Sequence, residues 1–451
     1  MIQKNTAPPS LKEIIDNKLC TGCATCVGVC PKKNLVMKRN LDGTSIPQSI
    51  NNCSECNLCR DVCPVINSDQ KEINKFFFDK IPTDKFIGNF IHCYQGYCLD
   101  ENIRWKSSSG GVITSLLALL LKKKLITAAL LTRPSQDNPL LSEPFMARTE
   151  NDILSAMGSR YTPLPLNQLI RTILYEEGKF AVVALPCHMQ GIRRAELKIP
   201  RLREKISYHL GITCSHTLNL KGVEFILQKK RIPRSQISSL SYRGEGWPGG
   251  LKIILKNKQN KYISNQNSLW SEIFGGYFFA PFYCTTCPDH LNELADISFA
   301  DAWIPEILKN DQTGTSIIIT RTPLGENLIT EAISSKTIKT SELKPLDVIN
   351  SQLWPLSFKK INLSSRLKIL KIFQKKIPSD LLKNFSTIPD SALANYAVSV
   401  LTYLNIVLAN NRLLKLVLRI IPLKFLKFYR RIFKRLLIQN INETLKKNDY
   451  F

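Results

Sequence analysis

Residues 20–31 read CTGCATCVGVCP, and residues 53–64 read CSECNLCRDVCP. Both stretches have the spacing C-x2-C-x2-C-x3-C followed by proline. The first three thiolates of such a motif can hold three corners of one [4Fe–4S] cube, while the fourth cysteine belongs to the other cube. The doubled motif therefore predicts two [4Fe–4S] clusters. The predicted ligands are Cys20, Cys23, Cys26 and Cys63 for one cluster, and Cys53, Cys56, Cys59 and Cys30 for the other.

A zinc site is the alternative for these cysteines. It fits the spacing poorly, because tetrahedral zinc sites usually use two separate C-x2-C pairs. The unit resembles a bacterial two-cluster ferredoxin domain, whose chemistry is one-electron transfer. We assign residues 1–66 to this domain and residues 67–85, which begin with the polar run NSDQKEINK, to a linker.

The composition of the 451 residues is typical of a folded protein, with 44% hydrophobic and 22% charged residues. We find no uninterrupted apolar run of about 18 residues, which disfavours a polytopic membrane protein. The N-terminal residues MIQKNTAPPSLKEIIDNKLC lack the apolar segment of a secretory signal. We therefore expect a cytoplasmic protein whose 14 cysteines are reduced or bound to metal.

Residues 86–346 alternate between strand-like and helix-like segments. Helices are predicted over 111–124 and 223–230. Short apolar runs bounded by turns predict strands, namely FAVVAL at 180–185, YHLGIT at 208–213, ADISFA at 295–300 and SIIIT at 316–320. The predicted fold class is α+β, with an N-terminal two-cluster ferredoxin domain, a mixed α/β core and a basic helical C-terminal tail.

Six further cysteines lie outside the doubled motif. Cys284 and Cys287 form a C-x2-C pair, whereas Cys187 and Cys214 each follow a predicted strand. Because functional sites of α/β folds form at strand ends, these four could hold a third [4Fe–4S] cluster. The alternative is that Cys187 and Cys214 are ordinary buried thiols. Two more cysteines, Cys93 and Cys98, are interpreted as structural.

Two glycine-rich segments are candidate ligand sites. KSSSGG at 106–111 precedes an apolar helix, an arrangement that suits a phosphate group; a serine N-cap without a ligand is the alternative. RGEGWPGG at 243–250 allows close approach of the backbone, and Trp247 could stack on a ring. A hairpin connection with a packed tryptophan is the alternative there. Neither a G-x-G-x-x-G motif after a strand nor a P-loop is present.

Several segments match one family together and in order. After the ferredoxin unit come KSSSGGVITSLL, GSRY at 158–161, ALPCHMQGIRR, GITCS, SYRGEGWPGG and a C-x2-C pair with ADISFADAW. Over roughly residues 18–345 the chain resembles the beta subunit family of coenzyme F420-reducing hydrogenase and F420-dependent dehydrogenases. The resemblance implies FAD in the core. It places near the flavin Ser107, Ser108, Ser109, Gly110, Gly111, Gly158 and Ser159, and it places Trp247 near the flavin or the substrate mouth.

The resemblance also implies the third cluster, with Cys187, Cys214, Cys284 and Cys287 as ligands. Asp301 matches an acidic position of the family. Ala300 stands where the family often has glycine, which departs from the close backbone approach expected there. His188 and His216 are candidates for proton delivery; the alternative is that each is a polar residue near the surface.

These observations predict an iron–sulfur flavoprotein oxidoreductase that passes electrons between a ferredoxin-like or F420-like carrier and a substrate. The formal net charge of +26 would attract an acidic carrier such as ferredoxin. The alternative is a non-catalytic electron-transfer subunit of a larger redox complex. Binding to nucleic acid is disfavoured, because the positive charge is concentrated at one end of the chain.

Residues 347–451 form the basic helical C-terminal region. From Lys359 onward the chain has 19 Lys and Arg against 4 Asp and Glu. In the run 411–438 the basic residues fall on one side of a helix, which suits either an anionic membrane interface or packing on the core with a solvated basic face. The preceding run NYAVSVLTYLNIVLA is judged too short to span a membrane. We thus expect a cytoplasmic location, either free or at the membrane surface.

Overall fold

The computed structural model describes residues 8–51, 53, 56–373, 375–379, 381–382, 393–439, 441 and 445. Within them lie 13 strands, which we number in chain order. They are β1 Leu35–Arg39, β2 Ser45–Ser49, β3 Cys93–Cys98, β4 Ala128–Pro134, β5 Ser142–Ala147, β6 Phe180–Ala184, β7 Ile206–Ile212, β8 Ile237–Ser241, β9 Gly250–Leu255, β10 Asn260–Ser264, β11 Ile297–Asp301, β12 Ser316–Thr320 and β13 Ile338–Glu342.

The core of the fold is an eight-stranded mixed sheet with the order β13-β3-β12-β11-β7-β6-β4-β5. Its four inner strands β4, β6, β7 and β11 are mutually parallel, and the flanking strands are antiparallel to their neighbours. The strand predictions at 180–185, 208–213, 295–300 and 316–320 are confirmed, and every predicted end lies within two residues of the observed one. A separate antiparallel sheet has the order β10-β9-β8.

Helices cover both faces of the large sheet. Before the C-terminal region the α-helices are Lys12–Asp16, Thr25–Val29, Leu58–Asp61, Lys71–Phe78, Glu101–Lys106, Val112–Lys122, Glu150–Ser155, Ile170–Tyr175, Pro186–Lys198, Pro200–Lys205, Leu220–Lys229, Leu269–Gly275, Phe282–Thr285, Pro305–Asn310 and Pro323–Ser334. Short 3₁₀ turns occupy Pro9–Leu11, Leu166–Leu169 and Arg234–Gln236. The helices predicted over 111–124 and 223–230 are confirmed with shifted ends.

Alternation along β4 shows how the strands of the large sheet serve two cores. Ala129 and Leu131 pack on one face with the helix Val112–Lys122, whereas Ala128 and Leu130 pack on the other with the helix Pro186–Lys198. Successive side chains of a strand point to opposite faces, so a strand buried on both sides reads as a continuous apolar run. This explains why the inner strands could be predicted from short apolar runs in the sequence.

The ferredoxin-type unit contains the β1–β2 hairpin, and it packs directly on the core. Asn167 donates a hydrogen bond of 2.8 Å from Nδ2 to Oγ1 of Thr25, and its backbone N–H donates to the carbonyl of Cys23 at 2.9 Å. The segment predicted as a linker contains the helix Lys71–Phe78, in which Ile73 is fully buried. The linker prediction therefore needs correction, because these residues are part of the packed body.

The C-terminal region is helical, as predicted, but it is not a separate tail. Its elements are the helices Pro345–Ser351 and Leu353–Leu356, a π-helical turn Ser357–Ile361, and the helices Leu363–Ile372, Leu393–Asn410, Leu414–Ile420 and Leu423–Ile438. Phe358, Lys359 and Arg366 are almost completely buried in the core. The boundary predicted between residues 346 and 347 thus cuts through packed structure.

One helix of the described residues, Leu393–Asn410, is long and apolar enough to cross a membrane by length and composition. This corrects the expectation that the apolar run there is too short. In the structure 44% of this segment is buried inside the protein.

Candidate iron–sulfur and cofactor site

A cavity of about 410 Å³ lies at the carboxyl ends of the parallel strands. Its lining includes Thr132 of β4, Ala184 of β6, Ile212 of β7 and Asp301 of β11. Ligands of open α/β sheets bind in the crevice outside these strand ends, because the loops that follow neighbouring parallel strands meet there. The size is within the range of small-molecule and cofactor sites.

Six of the eight residues predicted to lie near the flavin line this one cavity: Ser107, Ser108, Ser109, Gly111, Gly158 and Ser159. A hydrogen bond of 2.9 Å from Oγ of Ser159 to Oγ of Ser108 joins the two loops. Gly158 has φ +88°, and an added Cβ would have no neighbour closer than 3.4 Å. Gly158 lines the cavity, and its left-handed backbone conformation favours glycine.

Gly110 and Trp247 do not line the cavity. A Cβ on Gly110 would lie 2.6 Å from the carbonyl oxygen of Gly96 and 2.9 Å from the backbone nitrogen of Ser316, so this glycine lets the loop approach β3 and β12. The serine N-cap considered for this segment is wrong. Gly111, at φ +73°, occupies the N-cap position, and no side chain caps the helix there.

The segment 243–250 is the connection between β8 and β9, and Trp247 is buried in it, as the hairpin alternative predicted. Arg243 forms a bidentate ion pair with Asp301, at 2.8 and 2.9 Å. The indole Nε1 of Trp247 donates to the same carboxylate at 2.9 Å, and Arg243 also donates to the carbonyl of Ser108. Asp301 thus ties the serine loop, the β8–β9 connection and β11 into one cavity wall.

The predicted third set of cysteines also converges at this cavity. Cys187 is the second residue of the helix Pro186–Lys198, and Cys214 follows β7; both line the cavity. Burial raises the pKa of the Cys187 thiol, and the nearby sulfurs of Cys287, Cys214 and Cys284 raise it further. The position of Cys187 at a helix N-terminus favours a negative charge on its sulfur.

The third set of cysteines forms one group beside the cavity. The sulfurs of Cys214, Cys284 and Cys287 all lie near Cys187. Within the described residues, no group of three His, Cys, Asp or Glu side chains is placed to hold a single metal ion.

The cysteines of the doubled motif form two groups, each with the four predicted ligands. In the first group Cys20 interacts with Cys63 and Cys23, and burial is the main cause of its raised pKa. The second group lines a separate cavity of about 190 Å³, which contains Cys30, Cys53, Cys56 and Cys59.

The three groups of cysteines follow one another through the molecule. Cys187 of the third group interacts electrostatically with Cys23 of the first. Cys63 of the first group interacts with Cys59 of the second, and Cys56 of the second is exposed to solvent. The order runs from the cavity to the surface.

Comparison with known proteins gives the family. The two models for the beta subunit of coenzyme F420 hydrogenase/dehydrogenase match residues 93–171 (N-terminal part) and 177–345 (C-terminal part), together more than half of the chain. A 4Fe–4S dicluster domain matches residues 19–68. The chain belongs to the coenzyme F420 hydrogenase/dehydrogenase beta subunit family. It is an iron–sulfur redox subunit of the kind found in such oxidoreductases.

Relatives in the family are distant. The coenzyme F420 hydrogenase subunit beta of Methanosarcina barkeri is 24% identical over 275 residues, which are 59% of this chain and 88% of that one. The coenzyme F420-dependent sulfite reductase of Methanocaldococcus jannaschii is 24% identical over 356 residues, or 74% of this chain and 49% of that one. A solved structure of the F420-reducing [NiFe] hydrogenase complex from Methanosarcina barkeri shares the fold, with a TM-score of 0.50 and 20% identity over 64% of this chain and 94% of that one.

Arg160 lies within the N-terminal family match, in the GSRY segment, but nothing in the sequence alone marks it as a site residue. It lines the cavity, and its guanidinium donates to the carbonyls of Ser159 and Met157. Its Nε is buried without a hydrogen-bond partner, and it forms no ion pair with an acidic residue of the described chain. Burial lowers its pKa to about 10, so the guanidinium remains charged at neutral pH. An uncompensated buried cation at a cavity is suited to an anionic ligand.

Lys359 and Arg366 lie beyond the C-terminal family match, which ends at residue 345. Burial opposes the charge of Lys359, but the sulfurs of Cys287, Cys284 and Cys214 outweigh it and raise the pKa of the ammonium group above its usual value. Arg366 donates from Nε to the carbonyl of Thr285 at 2.8 Å, next to Cys284. The sequence indicates only an excess of basic residues in this region, and such an excess does not predict which of them lie beside the cysteines.

His188 and His216 are both buried and line the cavity, so the alternative that they are polar residues near the surface is wrong. Burial lowers the pKa of His188 to about 4 and that of His216 to about 3, and both imidazoles are neutral at pH 7. His188 Nε2 pairs with the carbonyl of Leu164 at 3.1 Å, and His216 stacks on Phe274 with ring centroids 4.0 Å apart.

Cys93 and Cys98 are buried in β3, in agreement with their interpretation as structural residues. The Sγ of Cys98 lies 3.3 Å from the carbonyl oxygen of Asp100.

Proposed function

We propose that this chain is an iron–sulfur flavoprotein oxidoreductase that passes electrons between a ferredoxin-like or F420-like carrier and a substrate. One observation carries the proposal. A single cavity has the serine and glycine loops on one wall and Cys187 and Cys214 on another, and two further cysteine groups lead from it toward the surface.

The residues of the cavity fit FAD. Arg160 offers a buried guanidinium with an unpaired N–H, and Gly158 lines the same cavity without a side chain. The hydroxyls of Ser108 and Ser159 add polar groups suited to a phosphate. When bound, a flavin can exchange two electrons with one partner and single electrons with another.

The residues of this chain would bind and orient the flavin and shield it from water. Arg160 and the serine hydroxyls would hold the phosphate groups, while apolar residues such as Leu117, Val183 and Phe299 exclude water from the cavity. The neutral imidazoles of His188 and His216 can each exchange a proton only at a ring nitrogen, and His188 already uses Nε2 for the carbonyl of Leu164. In His216, Nδ1 pairs with Oγ of Ser215 at 3.0 Å and Nε2 is buried without a hydrogen-bond partner among the described residues, so Nε2 is the ring nitrogen left for proton transfer.

The surface end of the cysteine series suits an acidic carrier. Lys32 and Arg60 line the second cavity beside Cys56, and Lys33 is exposed next to Lys32. We expect charge reversal at Lys32 and Arg60 to raise the KM for reduced ferredoxin with little change in kcat, because such charges steer association. Parallel assays with F420 would distinguish the two carriers. We also propose a cytoplasmic location, in line with 14 cysteines that are all free of disulfides.

The decisive experiment is analysis of anaerobically purified protein for iron, sulfide and released flavin. We expect about twelve irons and one FAD per chain, since each cube holds four irons. Arg160→Met should lower the flavin content and leave the iron content unchanged. Arg148→Met, at an exposed arginine paired with Glu176, is the matched control.

The contrary outcome is about eight irons and no flavin, even after reconstitution. It would replace this proposal with the alternative of a non-catalytic electron-transfer subunit. That alternative is supported by the relatives that are subunits of hydrogenase complexes.

A further inference from the structure

The helices Leu414–Ile420 and Leu423–Ile438 present a large apolar surface to solvent. We call this surface the outer face and define it by its exposed apolar residues, Leu413, Leu416, Ile420, Phe425, Phe428 and Ile432. Ile420 is 79% exposed and Phe428 63% exposed. Single exposed apolar residues are ordinary, but a contiguous set on two consecutive helices marks an interaction site.

Basic residues adjoin these apolar ones. At 100° per residue, Phe425, Phe428 and Ile432 fall within an arc of about 60°. Lys424, Arg431 and Arg435 occupy the neighbouring arc and are exposed. Over residues 393–439 the chain has nine Lys and Arg and no Asp or Glu.

The opposite side of the same helices is fixed to the core. Leu426, Phe433 and Leu437 are buried, and Arg430 pairs with Glu272 at 3.3 Å. The ammonium of Lys229 donates to the carbonyls of Leu418 and Ile421 at 3.2 and 2.6 Å, where the first helix ends. The packing of this buried side therefore keeps the apolar residues of the outer face exposed to solvent.

We propose that the outer face seats the protein on an anionic lipid bilayer surface. Helices with a strongly basic arc beside an aromatic and aliphatic one lie in the headgroup region of such membranes, with the apolar residues inserted and the cations at the lipid phosphates. The absence of acidic residues over 393–439 excludes charge pairing within the segment. Arg430 pairs with Glu272 of the core, whereas Lys424, Arg431 and Arg435 are exposed and form no ion pair within the described residues, which leaves them for an external anion.

A second copy of this chain is a less favourable occupant. A two-fold interface would place the same basic arc against itself, and like charges brought together cost several kcal/mol. A membrane-crossing arrangement is also disfavoured. The apolar helix Leu393–Asn410 buries Val398, Thr402 and Ile406 against the protein rather than offering them to lipid.

The test is flotation of the anaerobically purified, cluster-loaded protein with lipid vesicles. We expect binding to vesicles that contain about one-third phosphatidylglycerol, weak binding to pure phosphatidylcholine, and release by high salt. The double variant Arg431→Gln, Arg435→Gln should bind about fivefold more weakly for each charge removed. The matched control is Lys261→Gln, at an exposed lysine of β10.

The apolar contribution is tested separately. Phe428→Ser should weaken vesicle binding, whereas Leu41→Ser, at a residue 94% exposed in the ferredoxin-type unit, should not. Iron content, flavin content and melting temperature of each variant show that it is folded, and they report on the proposed function independently of binding.

Three outcomes would overturn the proposal. They are the failure of the wild-type protein to float with phosphatidylglycerol vesicles, equal binding by wild type and the outer-face variants, and resistance to high salt and carbonate, which would indicate an inserted helix. Concentration-dependent dimerisation abolished by Phe428→Ser would assign the face to a second copy.

Discussion

At the scale of single residues, the third cysteine group is distinguished by one buried cation. Lys359 is 1% exposed and faces the sulfurs of Cys214, Cys284 and Cys287. A fixed positive charge stabilises the more negative, reduced state of a cluster, and net charge is one of the factors that set cluster potentials. The C-terminal region thus supplies an electrostatic element that the family match does not contain.

Lys359→Met should therefore lower the reduction potential of the cluster that we propose at this group. The Lys359 ammonium hydrogen-bonds the Cys287 sulfur, so its charge acts at short range. At an effective dielectric constant of about 20 such a charge contributes a few kcal/mol, which corresponds to a shift on the order of 100 mV for one electron. The potential is measured by redox titration followed by electron paramagnetic resonance. Lys360→Met is the control, because the ammonium of Lys360 pairs with Glu293 instead. Equal shifts in both variants would contradict the assignment.

A second residue-scale feature is the buried charge network behind the sheet. His209 bonds Glu196 through Nε2 at 2.7 Å and Asp296 through Nδ1 at 3.0 Å, and Arg193 pairs with both carboxylates. Burial and the charge of Arg193 act to lower the pKa of His209, but the two carboxylates outweigh them and raise it. The stabilisation from the charged imidazole is complete below the unfolded-state pKa of about 6.5 and is lost as pH rises through the raised pKa.

We therefore expect the melting temperature to fall as the pH rises from the unfolded-state pKa of about 6.5 through the raised pKa of His209, and to fall less steeply in His209→Asn. Thermal unfolding of both proteins across this range checks the difference in slope. His92→Asn, at an exposed histidine beside Glu326, serves as the control. Identical pH slopes for wild type and His209→Asn would rule out this role.

At the scale of elements, the serine loop at 107–111 is positioned by the sheet beneath it. Gly110 donates its N–H to Oγ of Ser316 at 3.0 Å, and its carbonyl accepts from the backbone of Cys98 at 2.8 Å. The loop is therefore held by β12 and β3, not by the helix that follows it. Six predicted cofactor residues share one cavity because this loop and the Gly158 loop meet through Ser108 and Ser159.

Gly110→Ala should displace the loop, because its Cβ would overlap the carbonyl oxygen of Gly96. Overpacking of this kind typically costs about 1–3 kcal/mol, so we expect a lower melting temperature together with weaker flavin retention. Differential scanning calorimetry and flavin release measure the two effects. Ser109→Ala, which keeps the backbone and adds no volume, should change the melting temperature less. A Gly110→Ala variant with normal stability and flavin content would show that the close approach is dispensable.

At the scale of the whole molecule, three cysteine groups follow one another from the cavity to the surface. The C-terminal helices cover one side of the third cysteine group. Arg366 holds the carbonyl of Thr285, and its guanidinium stacks on Phe358 at 3.7 Å. The helices Leu393–Asn410 and Leu423–Ile438 pack against this region through Val398, Ile406 and Phe433. The C-terminal region is part of the structure that encloses the third group.

Truncation after residue 346 should therefore remove more than a tail. We expect the shortened chain either to precipitate or to retain about eight irons, because Lys359 and Arg366 are lost and the third group becomes exposed to solvent. Solubility and iron content after anaerobic purification give the answer. A soluble truncated protein with the full iron content and an unchanged melting temperature would restore the predicted domain boundary.

The two cluster-binding motifs, the inner strands and the family could all be predicted from the sequence. The ferredoxin motif is largely local, since three of the four predicted ligands of each cluster lie within seven consecutive residues. The inner strands are short apolar runs because both of their faces are buried. The helical character of the C-terminal region was also predicted. Packing of the run 411–438 on the core was one of the two alternatives left open. The burial of Lys359 and Arg366 was not predicted, because Lys and Arg are usually exposed to solvent.

The sequence by itself determined which chemistry the chain can carry, namely two cluster motifs, a further set of four cysteines and two glycine-rich loops. Only the tertiary structure decided their arrangement. Arg160 and His188 reach the cavity, and Lys359 reaches the third cysteine group, through contacts between segments far apart in the chain. Such contacts leave no periodic or spaced signal in the sequence. They arise where the carboxyl ends of parallel strands, the ferredoxin-type unit and the C-terminal helices pack together.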